Sequence, residues 1–276
     1  FLAGSLDCLS STFYAALSAV GFAISLSVFI PNLPIVPVAI ITIAIVGVMH
    51  LRGVKNARNF QLILGGFLLT IFAIFIIRGL TDVNGFNSEI FLSGNVVFEG
   101  QTIWQDIGRM LTTIALTYSA YVGFEVIADD AEEVANPNRN IPRGILLSLL
   151  IATVVYTLVA LVTIGTIPYD QLAGSTTALT DAAAKFWPNG GVQLMAMAGI
   201  VATLTSINSA MLSATREAYT LSREKVWPRF LSRLSRWRTP YTAIFVVVII
   251  SALVAAIGVV DLLSFISSTG YLFVLF

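Results

Sequence analysis

The sequence predicts an all-α integral membrane protein, a multi-span helical bundle, and three observations carry that expectation. Of its 276 residues 57% are hydrophobic and 11% charged, with a mean hydropathy of +0.89. Soluble domains carry about 25% charged residues. The apolar residues gather in runs near the ~20 residues that a bilayer-crossing helix needs. Short turns or basic segments separate those runs, and the basic segments recur at every second connection, so that they fall on one side.

Composition excludes several classes. Fifteen basic and fifteen acidic residues balance to zero, so the basic footprint of a nucleic-acid binder is absent. One cysteine, Cys8, rules out an intrachain disulfide framework. A lone histidine, His50, argues against a His/Cys zinc site. The chain opens on Phe1 rather than Met and stops at Phe276 inside an apolar run. That reads as one transmembrane domain, residues 1–276, cut at both ends from a longer protein.

In chain order, span one covers about Leu9 to Ile30, with Ser10, Ser11, Ala15, Ala16, Ser18, Ala19 and Gly21 giving it a surface suited to close helix contact. Pro31 to Pro34 turns the chain into span two, about Ile35 to Met49. Span three runs from about Phe60 to Ile77, with Gly65-Gly66 in its interior. A long polar connection, Thr81 to Gln105, follows, with Trp104 as an interfacial anchor. Span four begins near Ile107 and extends, broken, to about Ala135; span five runs from Gly144 to about Ile167. Thr177 to Phe186 forms a short surface helix closed by Trp187-Pro188 at the membrane edge. Span six covers about Val192 to Leu221, span seven about Tyr241 to Val259, and span eight starts near Asp261 and is cut short.

Twelve of the fifteen cations fall in or beside three connections, 50–58, 136–143 and 222–240, which alternate correctly onto one side. The positive-inside bias places those connections in the cytoplasm and the chain in the cell membrane.

The stretch from Leu116 to Gly144 breaks the pattern. Its apolar helix meets Ser119-Ala120-Tyr121-Val122-Gly123 and then places Glu125 at membrane depth. A helix broken there ends in carbonyls without intrahelical partners, a negative end that attracts an ammonium or a cation. Tyr118, Tyr121 and Phe124 add aromatic surface beside the gap. Glu125, Asp129, Glu132 and Glu133 share one helical face. The later acids read as a structural ion-pair cluster near Arg139 and Arg143, while Glu125 stands open between structural and functional roles.

These residues carry a resemblance. Tyr118 to Gly144 is similar to the sixth helix of the amino acid–polyamine–organocation (APC) permease superfamily, with its aromatic-Ala-Tyr-x-Gly-Phe-Asp/Glu pattern. Glu132 to Arg143 resembles that family's Glu-x-x-Asn-Pro-x-Arg-x-x-Pro turn. Arg216 to Lys225, followed by Trp227-Pro228, resembles the signature at the inner end of its eighth helix, and Gly53 to Arg58 the turn before its fifth.

The resemblance implies a five-plus-five inverted-repeat transporter of which this chain is helices three to ten. It implies a permease for an amino acid or related amine, working in the lipid bilayer by alternating access, with no cofactor and with sodium or a proton as the coupling ion. Carbonyls around Ser119, Ala120 and Tyr121 would receive the substrate amine, Gly123 would give it room, and Tyr118 or Tyr121 would stand for the bulky aromatic missing at Ser119. Thr205 and Ser206 match hydroxyl ligands of sodium-coupled relatives, although such hydroxyls also cap helix carbonyls. The lysine of some proton-coupled relatives is matched by Phe67, so that coupling mode is unsupported. Ser267 and Tyr271 would line the cavity, and Glu125, Glu132 and Arg216 would serve gating or coupling. The competing class is a membrane sensor that binds an amino acid without carrying it. An enzyme finds no His-Glu-x-x-His or Gly-x-Ser-x-Gly pattern to support it.

Overall fold

The computed structural model describes residues 2–52, 57–93, 103–121, 123, 134–175, 177–235, 239–258 and 260–275. Helices account for nearly all regular structure, and no strand occurs among the described residues. Five helices are long and apolar enough to cross a membrane: α1 (Leu2–Ser27), α2 (Ile35–Arg52), Leu62–Thr81 within α3 (Ala57–Thr81), α6 (Pro137–Thr166) and α9 (Gly191–Arg223). Between them lie α4 (Ser88–Ser93), α5 (Ile103–Tyr118), α7 (Tyr169–Leu172) and α8 (Ala178–Phe186). Two shorter helices follow, α10 (Tyr241–Ala255) and α11 (Val260–Leu275).

Several boundaries differ from the sequence expectation for local reasons. α1 ends at Ser27 because the amides of Phe29 and Ile30 both turn back to the Leu26 carbonyl before Pro31. The polar 81–105 connection contains α4, which Asn87 caps by accepting the Glu89 amide at 2.8 Å. α6 starts at Pro137 instead of Gly144, with Pro at N1 after left-handed Asn136, so the second proline, Pro142, lies within the helix. At thirty residues it extends to about 45 Å at 1.5 Å per residue. α10 stops at Ala255, where Ile257 and Gly258 close a turn and Gly258 takes φ 69°.

The chain forms two compact units, residues 1–65 with 199–276 and residues 66–198. In the first, α1 packs on α2, α10 and α11. Ala15, Ala16 and Ala19 are fully buried beside Ile43, Ile207, Met211 and Leu263. Small residues let these backbones approach until hydroxyls bridge them: Ser251 donates to the Thr12 carbonyl at 3.1 Å and Ser267 to the Ser10 carbonyl at 3.3 Å. The Cys8 thiol, 3% exposed, donates to the Ala214 carbonyl at 3.3 Å. At the end of α2, buried His50 pairs its Nε2 with Asn208 Oδ1 of α9 at 3.0 Å.

In the second unit, Phe75 of α3 meets Phe186 of α8 edge-on at 5.3 Å, within a core that includes Val159, Val162, Ala183 and Met195. α8 thus buries Ala182, Ala183 and Phe186 on one face and exposes Asp181, Ala184 and Lys185 on the other. The turn after α3 is pinned by two backbone bonds, Phe86 amide to Gly79 carbonyl at 2.7 Å and Asn87 amide to Gly165 carbonyl at 2.9 Å. The Phe86 ring lies where a Cβ on Gly165 would stand. Arg78, in the last turn of α3, holds its guanidinium 5.0 Å from the Trp187 ring centroid. The outer face of α6 exposes Leu146, Leu147, Leu150, Ile151 and Val154. An apolar stripe of that size is stable against lipid and a liability against water.

Candidate substrate site at the helix break

α5 carries its α-helical geometry to Tyr118 and tightens to a 3-10 turn at Ser119–Tyr121. Gly123 then takes φ 116°, a region that L-residues rarely enter, with no heavy atom of the described residues within 4 Å of where a Cβ would stand. The Gly therefore serves the backbone path and not a steric fit.

Two side chains of α6 hold this turn. The Tyr156 hydroxyl donates to the Ala120 carbonyl at 2.8 Å, and the Tyr121 hydroxyl donates to Thr153 Oγ1 at 3.3 Å. The Tyr121 and Tyr156 rings meet edge-on at 5.4 Å and 73°. Thr153 in turn donates to the Leu149 carbonyl at 2.8 Å. The Ala120 carbonyl at the break thus accepts a bond from outside its own helix, flanked by two phenol rings.

The structure gathers Tyr118, Ser119, Ala120, Tyr121 and Gly123 into this one turn. Phe124, Glu125, Asp129, Glu132 and Glu133 lie outside the described residues, as does the side chain of Ser119. Thr205, Ser206, Arg216, Ser267 and Tyr271 belong to the other compact unit. Thr205 donates to the Ala202 carbonyl at 2.8 Å, one turn back along α9. Arg216 is exposed on the same helix. Ser267 is fully buried, with its hydroxyl turned to the Ser10 carbonyl of α1. Tyr271 lies on α11, and its side chain is outside the described residues.

Thr153 and Tyr156 are the site residues that sequence reasoning missed. A signal was present: in the aliphatic run of α6 they are polar and three apart, hence on one face. A tyrosine at membrane depth needs a partner for its hydroxyl.

The comparisons with known proteins agree with this architecture. The family model for amino acid permeases matches residues 1–276. The branched-chain amino acid permease BcaP of Bacillus subtilis is 28% identical over 241 residues, 86% of this chain and 48% of that protein. A methylthioribose transporter of Bacillus subtilis is 28% identical over 79% of the chain and 45% of its own length. The vacuolar cationic amino acid transporter 4 of Arabidopsis thaliana is 27% identical over 88% and 40% respectively. The chain spans about half or less of the length of these relatives. With the family model matched over residues 1–276 and five helices able to cross a membrane, the chain belongs to the amino acid permease family, within the APC superfamily that its motifs resemble.

Proposed function

We propose that the chain is part of a secondary transporter that moves an amino acid or related amine across the membrane by alternating access. The observation that carries this reading is the Ala120 carbonyl, in the 3-10 turn that follows α5, taken by the Tyr156 hydroxyl of α6 at 2.8 Å. A carbonyl at the negative end of a half-helix is built to accept from a donor, and a substrate ammonium is a stronger donor than a phenol. The phenol faces of Tyr121 and Tyr156 offer the same ammonium a cation–π surface. The relatives' names, which include branched-chain and cationic amino acids, support an amino acid as the cargo.

Glu125, Glu132 and Arg216 are the proposed gating and coupling residues, and exchanging the charge of Glu132 with each cytoplasmic arginine in turn tests that role, which fails if no exchange restores function. For a sodium ion, Thr205 retains lone pairs, because its hydroxyl donates its only proton to Ala202. Thr205 and Ser206 are accordingly the hydroxyls to truncate if uptake follows sodium.

The test is uptake of radiolabelled leucine and lysine by liposomes carrying the complete protein, with sodium or proton gradients imposed separately. Accumulation supports transport, whereas saturable binding without accumulation identifies a sensor. The amine assignment is tested in the same assay by 4-methylpentanoate, which is leucine without its amine. Competition by that acid as strong as leucine's own, or by methylthioribose in preference to both, overturns the amine site.

A further inference from the structure

We infer that the segment following α9, Arg223 to Leu234, is a docking surface for anionic phospholipid headgroups. The segment is shaped before any ligand arrives. α9 closes with Lys225 in the left-handed region at φ 64°, and the amides of Val226 and Trp227 both return to the Leu221 carbonyl. The Trp227 indole donates to Ser5 Oγ of α1 at 3.1 Å, and Ser222 donates to the Pro228 carbonyl at 2.8 Å. A 3-10 turn over Arg229–Ser232 then buries Leu231 beside Ala214, Ala218 and Ala243, while Thr242 of α10 donates to the Phe230 carbonyl at 2.6 Å.

What this clamp leaves outside is of two kinds. Arg223, Lys225, Arg229 and Arg233 are exposed, against the one acid Glu224 in the segment. Between them Val226, Phe230 and Leu234 are 37%, 46% and 49% exposed and four residues apart. A positive-inside signal explains the cations and gives no reason for three apolar side chains to be held outward among them. A bilayer edge explains both. Cations there meet lipid phosphates within a Debye length of the surface, and apolar side chains enter the acyl boundary below. An acidic protein partner would account for the cations but not for the three apolar side chains held outward between them.

The experiment places the complete protein, carrying Leu234→Cys with a nitroxide spin label, in nanodiscs of phosphatidylcholine alone or mixed with phosphatidylglycerol. Both leaflets of a disc are alike, so the result does not depend on orientation, and it does not require transport. Phosphatidylglycerol is expected to raise the label's accessibility to oxygen over a water-soluble nickel chelate several-fold. Arg229→Gln with Arg233→Gln is expected to abolish that change, and Arg229→Lys with Arg233→Lys to retain it at an unaltered thermal midpoint. A label that stays in water in both lipids overturns the proposal. So does one that sits in lipid regardless of phosphatidylglycerol, which would be apolar insertion without headgroup recognition. Soluble glycerol phosphate must not reproduce the shift in phosphatidylcholine; if it does, the surface takes a free phosphate and not a lipid.

Discussion

The hydroxyl of Tyr156 donates to the carbonyl of Ala120 at 2.8 Å, joining α6 to the helix break in α5. In the proposed transporter it holds the acceptor that a substrate ammonium requires. We propose that the ammonium displaces the phenol from this oxygen, so that the free protein carries its own stand-in for the amine.

Tyr156→Phe separates the two roles because it removes the donor and keeps the ring against Tyr121. The bond lost from the exposed Ala120 carbonyl in the free state is worth about 1 kcal/mol. Amine affinity, measured by ligand-dependent melting or by calorimetry, should therefore tighten by roughly fivefold. The free protein should melt earlier. A weakened affinity would mean that the hydroxyl helps the substrate instead of competing with it.

Gly123→Ala tests the backbone path alone. A Cβ there meets no described residue within 4 Å, so the expected loss is that of φ 116°, a conformation costing an L-residue about 1–3 kcal/mol. Gly108→Ala, within α5 and likewise without neighbours, is the matched control. It should be neutral or stabilise by up to ~1 kcal/mol. Detergent melting curves of both variants check the contrast.

Gly165→Ala should be destabilising by about 1–3 kcal/mol, because the added methyl enters the space of the Phe86 ring. Phe86→Leu in the same chain should recover part of that loss. An equal and additive penalty from the two changes would show that the contact is unimportant.

Buried His50 and half-buried Asn208 form a polar pair between α2 and α9. Asn208→Leu leaves the imidazole without its partner and should cost about 1–3 kcal/mol, whereas His50→Leu with Asn208→Leu should cost less than the sum of the single changes. The double-mutant cycle, read from melting in one detergent, gives the coupling directly.

Helix positions were largely legible because an apolar run of bilayer length admits little else. The face of α1 was legible too: Ala15, Ala16 and Ala19 are small, and small residues in a span imply backbone approach. The break at Ser119 could be read from Gly123 and its neighbours, since local residues dictate local dihedrals. Tyr156 escaped because its role depends on a partner 36 residues away, and periodicity carries no information on which helices meet. The early start of α6 escaped for a different reason. Pro137 and Pro142 looked like one continuous turn, but a proline at N1 opens a helix, and the second had then to be accommodated inside it.

Cys8 lies against the carbonyl of Ala214 and shows almost none of its surface. Within this chain, that makes the native sulfur silent toward maleimides and methanethiosulfonates while the fold is intact. A reporter thiol introduced at an exposed position such as Leu234 can be read without first deleting it. Reaction at Cys8 itself then becomes a gauge of α1 parting from α9, recorded by the same reagent in the same sample.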